Sequence, residues 1–366
     1  MPSLPPLVSF AGNHTEVLDD AKSRLPTPIT PVGVLDSFTY KESTPAIGRE
    51  YSTLQLKDLL ARPEGEIDAL FKDLAYVVSR RGVVFLRNQD VSGEELKEVA
   101  RRLSENSGSP ASSGLHVHPL TEESSELGDQ LQVISSEKQR RGGGLMHFYD
   151  DARSRLASAG WHSDITFEPV PSDYALLKIE TLPPTGGDTL WASAYEAYSR
   201  LSPPFAKTLE GLTATHDGSF FHDEARRLGN PLREGIRGSP YNHGPELKAV
   251  HPVVRTNPVT GLKGLFVNKA FTQRINGVTK DESDLLLDYI FKLITNNHDL
   301  QVRLQWGLND VAIWDNRSTW HTATYDYSEP RAGIRACSLG ERPYFEAKST
   351  SSREEALDEK ARIEMK

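Results

Sequence analysis

Two histidines and one aspartate have the types and spacing of ligands for a divalent metal ion. His162 and Asp164 are two residues apart, so in an extended segment their side chains point to the same side and can reach one ion. A second imidazole, His321, follows the segment 314–317 and a β-like run. Two imidazoles and one carboxylate form the facial triad that holds Fe(II) and leaves coordination positions open. The pattern therefore predicts a catalytic metal centre.

This set of ligands does not by itself select the metal. Nitrogen and oxygen ligands without a thiolate suit Fe(II), but they also accept Co, Ni, Mn or Zn. Because a His-x-Asp pair is common in proteins, the alternative for each histidine is a hydrogen-bonded structural role. The prediction of an iron centre therefore depends on a nearby site for an organic acid that can chelate the metal.

Two arginines and a threonine can provide such a site. Arg331 lies ten residues after His321 and Arg335 four residues further, so a returning strand can carry either guanidinium back to the pocket. A planar guanidinium forms two parallel hydrogen bonds with a carboxylate, which a lysine cannot do. Thr189 can add a hydroxyl donor. An ordinary surface ion pair with a nearby glutamate is the alternative for each arginine.

Short β-like runs carry these groups. They cover residues 174–191, 250–266 and 302–313, and turns rich in proline and glycine separate them. Many short strands with long insertions predict a mainly β (α+β) fold with a jelly-roll core rather than a parallel sheet. Apolar residues at helical spacing predict flanking helices at about residues 54–77, 92–103 and 281–295.

The two ends of the chain differ in composition from its middle. Residues 1–48 are rich in Pro, Ser and Thr, which predicts an extension that wraps the surface or is partly mobile. Residues 49–347 form the predicted enzyme domain, and residues 348–366 form a charged tail that is compatible with a helix. The three successive glycines 142–144 predict mobile backbone near the entrance of the site.

Composition argues against several classes of function. The formal net charge of −9 disfavours a nucleic-acid or membrane-surface binder, because either needs a basic face. The single cysteine, Cys337, cannot form an intrachain disulfide or a cysteine-based metal site, and we expect a buried thiol. No apolar run approaches the roughly 18 residues needed to span a bilayer. These features predict a cytoplasmic enzyme with a small-molecule substrate.

Five segments together resemble the taurine dioxygenase-like (TauD/TfdA) family of Fe(II)/2-oxoglutarate-dependent dioxygenases. The resemblance covers roughly residues 80–345, with the segments in the order and spacing of the family. They are His162-x-Asp164, Gly186 to Trp191, Leu265 to Asn268, Trp314 to His321, and Arg331-x-x-x-Arg335. The resemblance implies a double-stranded β-helix core with flanking helices.

The resemblance also implies roles for the groups around the metal. The triad would hold Fe(II), and 2-oxoglutarate and O2 would be the co-substrates, with release of succinate and CO2. Thr189 and Arg331 would bind the distal carboxylate of 2-oxoglutarate. Arg335 would assist with the co-substrate or bind the anionic group of the substrate. Hydroxylation of the substrate is the expected outcome.

Candidate substrate-binding residues follow from a His-x-His-Pro segment and from nearby apolar side chains. His118 resembles the histidine that contributes to sulfonate binding in the taurine enzyme, but this chain lacks the Tyr that follows the Pro there. That difference argues against taurine itself. His118 and Arg335 still suit a small anion such as a sulfonate, a sulfate ester or a carboxylate. Ile165 and Phe221 are candidates for an apolar wall, with core packing as the alternative.

Three hypotheses about function stay open at this point. The first is a dioxygenase that hydroxylates a small anionic organic molecule. The second is an oxidase of specialised metabolism that decarboxylates, desaturates or cyclises an amino acid with the same iron site. The third is a non-catalytic jelly roll that only binds metal, which the intact triad and both arginines disfavour. By analogy with relatives, a homo-oligomer, either a dimer or a tetramer, is expected.

Overall fold

The computed structural model describes residues 27–121, 125, 127–137 and 156–364 of the 366-residue chain. Residues 1–26 of the predicted extension and the glycines 142–144 lie outside the described residues. Within the described part, the chain forms a mixed α/β structure of fifteen strands and eight α-helices.

The secondary structure elements are numbered in chain order. The strands are β1 Tyr40–Glu42, β2 Arg49–Tyr51, β3 Val83–Leu86, β4 Leu131–Ser135, β5 Ser172–Thr181, β6 Thr189–Ser193, β7 Thr213–Asp217, β8 Lys248–Pro252, β9 Val254–Thr256, β10 Lys263–Leu265, β11 Thr272–Ile275, β12 Gln301–Leu304, β13 Val311–Asp315, β14 Thr319–Ala323 and β15 Ala332–Leu339. The helices are α1 Leu56–Leu60, α2 Glu64–Arg81, α3 Gly93–Asn106, α4 Ala194–Ser199, α5 Pro203–Leu209, α6 Phe220–Leu228, α7 Lys280–Asn296 and α8 Ser352–Glu364.

The largest sheet separates two apolar layers. Its strand order is β1-β2-β3-β13-β5-β15-β4, with β2 and β3 parallel and the other neighbours antiparallel. Successive side chains of a strand point to opposite faces. Val84 and Ile313 therefore join the layer under α2 and α3, whereas Phe85 and Trp314 join the layer on the other face. The fully buried strands explain why their sequences read as short apolar runs.

A three-stranded sheet with the order β12-β6-β14 covers the second face of the large sheet. The ring of Trp191 in β6 lies 5.3 Å from Phe85 and 5.8 Å from Trp314, measured between centroids. On its other face, Ala192 and Trp320 pack among residues of α4 and α7. The two sheets thus face each other across an apolar layer, and the described strands do not close into a barrel.

Local sequence explains where the predicted helices begin and end. The predicted helix at 54–77 is divided into α1 and α2, and Pro63 lies between them as the N-cap residue of α2, because proline has no N–H with which to continue a helix. A capping box between Ser92 and Glu95 begins α3, as the sequence indicates. A second capping box, between Thr279 and Glu282, begins α7 at the predicted place. In the described part, no helix is long and apolar enough to cross a membrane.

Both ends of the described chain pack on the body of the protein. The carboxylate of Asp73, in α2, accepts hydrogen bonds from the backbone N–H groups of Val32 at 2.5 Å and Val34 at 2.6 Å. Strand β1 pairs with β2, so the predicted boundary at residue 48 falls within a strand pair. The charged tail forms α8, and Ser352 at its start donates to Glu196 at 3.0 Å.

Candidate metal centre

A backbone bridge brings His162 and His321 together although 158 residues lie between them in the chain. The N–H of His162 donates to the carbonyl of His321 at 3.0 Å, and the N–H of His321 donates back at 2.8 Å. The two imidazole centroids are 4.2 Å apart. His321 lies on β14 opposite Trp191 in register, so the bridge extends the three-stranded sheet and places both rings beside the layer between the sheets.

The carboxylate of Asp164 completes a buried cluster with the two imidazoles. Nε2 of His162 is 3.7 Å from Oδ1 of Asp164, and Nε2 of His321 is 3.9 Å from Oδ2. One ligand atom from each residue lies within 4.8 Å of the other two. Because a carbonyl can only accept, Nδ1 of His162 donates to the carbonyl of Gly160 at 2.8 Å, which leaves Nε2 with a free lone pair. These donors fit a divalent metal ion.

Electrostatics favours the protonation states that metal binding requires. Burial alone would raise the pKa of Asp164, but Arg335 and the neighbouring imidazoles outweigh it and hold that pKa well below its usual range. Burial, together with the proximity of His162, lowers the pKa of His321 to about 3. At neutral pH the site therefore presents one carboxylate and a neutral imidazole at position 321.

The backbone around Asp164 is held in a tight turn. The N–H of Asp164 donates to Oδ1 of Asn316 at 3.0 Å, and Nε1 of Trp314 donates to the same oxygen at 3.1 Å. The next residue, Ile165, has a φ of 63°, a left-handed conformation that is rare for a β-branched residue. Such strain persists only where the surroundings fix it, and it is common at functional sites.

Arg331 has the surroundings of an anion-binding group. Its side chain is buried, and Nε donates to the carbonyl of Gly187 at 2.9 Å. Among the described residues, no hydrogen-bond partner is found for its buried Nη2 atom. Gly187 has a φ of 73°, and a Cβ there would lie 2.7 Å from Cδ of Arg331, so only glycine leaves room for this side chain. Thr189, two residues later, accepts from Nε1 of Trp306 at 3.0 Å and keeps its own hydroxyl hydrogen free to donate.

Arg335 contacts the candidate metal ligand directly. Its Nη1 atom donates to Oδ1 of Asp164 at 2.6 Å, and its Nη2 atom donates to Oε1 of Gln132. Arg335 lies within β15, and Arg331 directly precedes that strand. The structure thus brings Arg335 to the triad and keeps Arg331 beside Gly187.

A small pocket that is partly open to solvent adjoins Arg335, and its space of about 210 Å³ includes open solvent. His118 borders it, and its Nδ1 atom accepts a hydrogen bond from the backbone N–H of Leu120 at 3.1 Å. Burial lowers the pKa of His118 to about 3, so its imidazole is neutral. The ring centroid of Phe221 lies 5.0 Å from that of His118. Ile165 and Phe221 both belong to the apolar layer between the sheets, which is consistent with the core-packing alternative for each.

Sequence reasoning missed several residues that contribute to the cavity. Gln132 lines it and belongs to no pattern of spacing that reveals this place, whereas His116, which also lines it, is the first histidine of the His-x-His-Pro segment. Cys337 also lines the cavity; the prediction of a buried thiol is confirmed, and burial raises its pKa to about 12. Asn316 belongs to the segment from Trp314 to His321 that resembles the family, but its contact with Asp164 is not predicted from the sequence.

Comparison with known proteins identifies the family. The family model described as "Taurine catabolism dioxygenase TauD, TfdA family" matches residues 39–337. The chain is 46% identical over 340 residues to the alpha-ketoglutarate-dependent dioxygenase btcD of Neocamarosporium betae, covering 89% of this chain and 98% of btcD. It is 33% identical over 316 residues to the alpha-ketoglutarate-dependent sulfonate dioxygenase of Saccharomyces cerevisiae, covering 84% of this chain and 68% of the yeast protein.

A solved structure agrees with these relationships. The crystal structure of a putative alpha-ketoglutarate-dependent taurine dioxygenase from Burkholderia xenovorans superposes with a TM-score of 0.64 at 25% identity. The match covers 86% of this chain and 94% of the bacterial chain. The chain therefore belongs to the TauD/TfdA family and is a 2-oxoglutarate-dependent dioxygenase that uses Fe(II) and O2.

Proposed function

We propose that His162, Asp164 and His321 are the ligands that hold the iron of this dioxygenase. The closely spaced Nε2 atoms and the carboxylate support the assignment. Iron bound there would supply the oxidative chemistry, which no protein side chain can provide. The remaining residues of the site then have to bind the two organic molecules, orient them and exclude water.

The distal carboxylate of 2-oxoglutarate is assigned to Arg331, with Thr189 as a second donor. The observation that carries this assignment is the buried Nη2 atom of Arg331, which finds no partner among the described residues. Leaving such a donor unpaired is costly, and a carboxylate would satisfy it through a charge-assisted hydrogen bond. Burial lowers the pKa of Arg331 from its ordinary value, yet a guanidinium stays protonated at neutral pH.

The substrate is assigned as a small organic anion, preferably a sulfonate or a sulfate ester. His118 and Arg335 border one cavity, so a single anionic group can contact both. The relative in yeast is named a sulfonate dioxygenase, which supports the same class. Phe221, packed against His118, and Ile165, next to Asp164, would exclude water from the apolar part of the substrate.

The finer architecture is part of the same proposal. Two facing sheets with the candidate site between them support a double-stranded β-helix (jelly-roll) core, as in the related taurine dioxygenases. Residues 49–347 would form the catalytic domain, with residues 1–48 and 348–366 as an extension and a tail. A homo-oligomer, a dimer or a tetramer, is proposed by analogy with relatives.

Turnover of a substrate panel tests the proposed function. Sulfonates, sulfate esters, carboxylates and amino acids would be incubated with Fe(II), O2 and 2-oxoglutarate, and the release of succinate measured. We expect sulfonates or sulfate esters to stimulate succinate release most. If only amino acids stimulated succinate release, the proposed function would be wrong and the protein would be an amino-acid oxidase.

Replacement of Arg331 tests the assignment of the co-substrate site. Arg331→Ala should raise the KM for 2-oxoglutarate by roughly tenfold or more, because a hydrogen bond to a charged group is worth about 1.5 to 3 kcal/mol. The exposed Arg62 provides a matched control, since Arg62→Ala should leave that KM unchanged. An unchanged KM in the Arg331 variant would transfer the role to Arg335.

A further inference from the structure

Gln132 is the residue that holds Arg335 at the border of the cavity. It lies on β4 directly opposite Arg335 in the antiparallel register between β4 and β15. Its Oε1 atom accepts a hydrogen bond from Nη2 of Arg335, while Nη1 of the same guanidinium donates to Asp164. The guanidinium is therefore fixed between an amide and a carboxylate.

Three kinds of hydrogen-bond donor border this cavity. Gln132 turns its oxygen to Arg335, so its NH2 group remains to donate to a bound molecule. His118 accepts at Nδ1 from Leu120, so its neutral ring carries the hydrogen on Nε2 and donates there. Nearby, Nε2 of His116 is buried and has no hydrogen-bond partner in the described part of the chain. An amide, two imidazoles and a guanidinium thus border one polar pocket, which the carboxylate of Asp129, 3.8 Å from Arg233, also lines.

The number and directions of these donors determine which anionic head group the pocket can bind. A carboxylate has two oxygens in a plane and is matched by a planar guanidinium alone. A sulfonate or a sulfate ester presents three terminal oxygens in a tetrahedral arrangement, and therefore needs donors from more than one direction. The guanidinium of Arg335, the ring of His118 and the amide of Gln132 provide them.

We propose that Gln132 is a specificity-determining residue, which orients Arg335 and donates to the third oxygen of a sulfonate or sulfate ester in preference to a carboxylate. This inference rests on the proposed function, since it takes Arg335 and His118 as the groups that bind the substrate anion. The amide would contribute little to a two-oxygen head group, because Arg335 already satisfies both oxygens.

Two substitutions separate the two tasks of this side chain. Gln132→Met has a similar shape but neither accepts from Arg335 nor donates to the substrate. Gln132→Glu keeps the acceptor for Arg335 but removes the donor and adds a negative charge. Butane-1-sulfonate, butyl sulfate and pentanoate, which differ mainly in the head group, would be the probes. Their KM values would be measured by succinate release, and their binding by the change in the anaerobic absorption of the Fe(II)·2-oxoglutarate enzyme.

The two variants should lose affinity selectively. In Gln132→Met we expect the KM for the sulfonate and the sulfate ester to rise about tenfold, the KM for pentanoate to change less than threefold, and the KM for 2-oxoglutarate to stay unchanged. Gln132→Glu should raise the KM for all three probes, and most for the sulfonate and the sulfate ester. Comparing the sulfonate with the sulfate ester shows which of the two three-oxygen head groups the wild-type site prefers.

The control variant changes the same strand on its opposite face. Val133 follows Gln132 on β4, so its side chain points away from the cavity, and Val133→Ala should leave all these constants unchanged. Equal rises for all head groups in Gln132→Met, or no rise for any, would overturn the inference. A wild-type enzyme that binds neither the sulfonate nor the sulfate ester would instead contradict the proposed function on which the inference rests.

Discussion

At the residue scale, two side chains hold Asp164 in place. Arg335 donates to Oδ1 at 2.6 Å, while Asn316 accepts from the backbone N–H of Asp164 at 3.0 Å. The amide of Asn316 is fixed in turn, because its Nδ2 atom donates to the hydroxyl of Ser172 at 3.1 Å. Partners of this kind set the direction of a metal ligand, and their loss typically costs metal affinity.

Replacement of Asn316 should therefore weaken metal binding. For Asn316→Ala we expect a Kd for Fe(II) or Mn(II) that is roughly tenfold to a hundredfold higher, because the turn at Asp164 loses its anchor. Quenching of tryptophan fluorescence under anaerobic titration gives the Kd. Asn296→Ala, at an exposed position of α7, is the control and should bind metal as the unchanged protein does. An equal Kd for the metal ion in both variants would mean that Asn316 does not help to hold the metal ligand Asp164 in place.

At the scale of elements, the segment 229–247 between α6 and β8 connects two parts of the site. Asn230 donates from its side chain to the carbonyl of Leu120, beside His118, at 3.1 Å. Arg237 pairs with Glu168, four residues after Asp164, through bonds of 2.5 and 3.0 Å, and both side chains are buried. The segment therefore links the loop of His118 to the turn that follows Asp164.

Loss of the buried ion pair should destabilise the protein strongly. Arg237→Met leaves the carboxylate of Glu168 buried without its partner, which typically costs about 3 to 5 kcal/mol in the free energy of unfolding. Urea denaturation monitored by circular dichroism measures this loss. The ion pair of Arg226 with Asp223 is exposed, so Arg226→Ala should change the free energy of unfolding little. Similar losses in the free energy of unfolding for the two substitutions would mean that burial of the pair does not increase its contribution to stability.

At the scale of the whole molecule, local patterns predict the elements and distant contacts complete the site. The capping box at Ser92 and the apolar run at 83–86 are local, and the structure has the expected α3 and β3 there. The division of the predicted helix at 54–77 is also a local effect, because it occurs at Pro63. The likeness of several motifs to one family, rather than their spacing alone, indicated which groups would meet.

Contacts between distant segments could not be predicted in the same way. Gln132 and Arg335 are 203 residues apart, and they meet because of the register between β4 and β15, which local sequence does not encode. Likewise, the role of Arg237 depends on a partner 69 residues earlier in the chain. The roles of side chains whose partners come from another strand or loop can therefore be recognised only in the folded protein.

We propose that this chain binds Fe(II) and 2-oxoglutarate together at His162, Asp164 and His321. Anaerobic protein reconstituted with both should develop a weak visible charge-transfer absorption band. His162→Ala should lose the band, whereas His298→Ala, at an exposed position, should keep it. Absence of the band from the unchanged protein, or its persistence in His162→Ala, would contradict the assignment of this site.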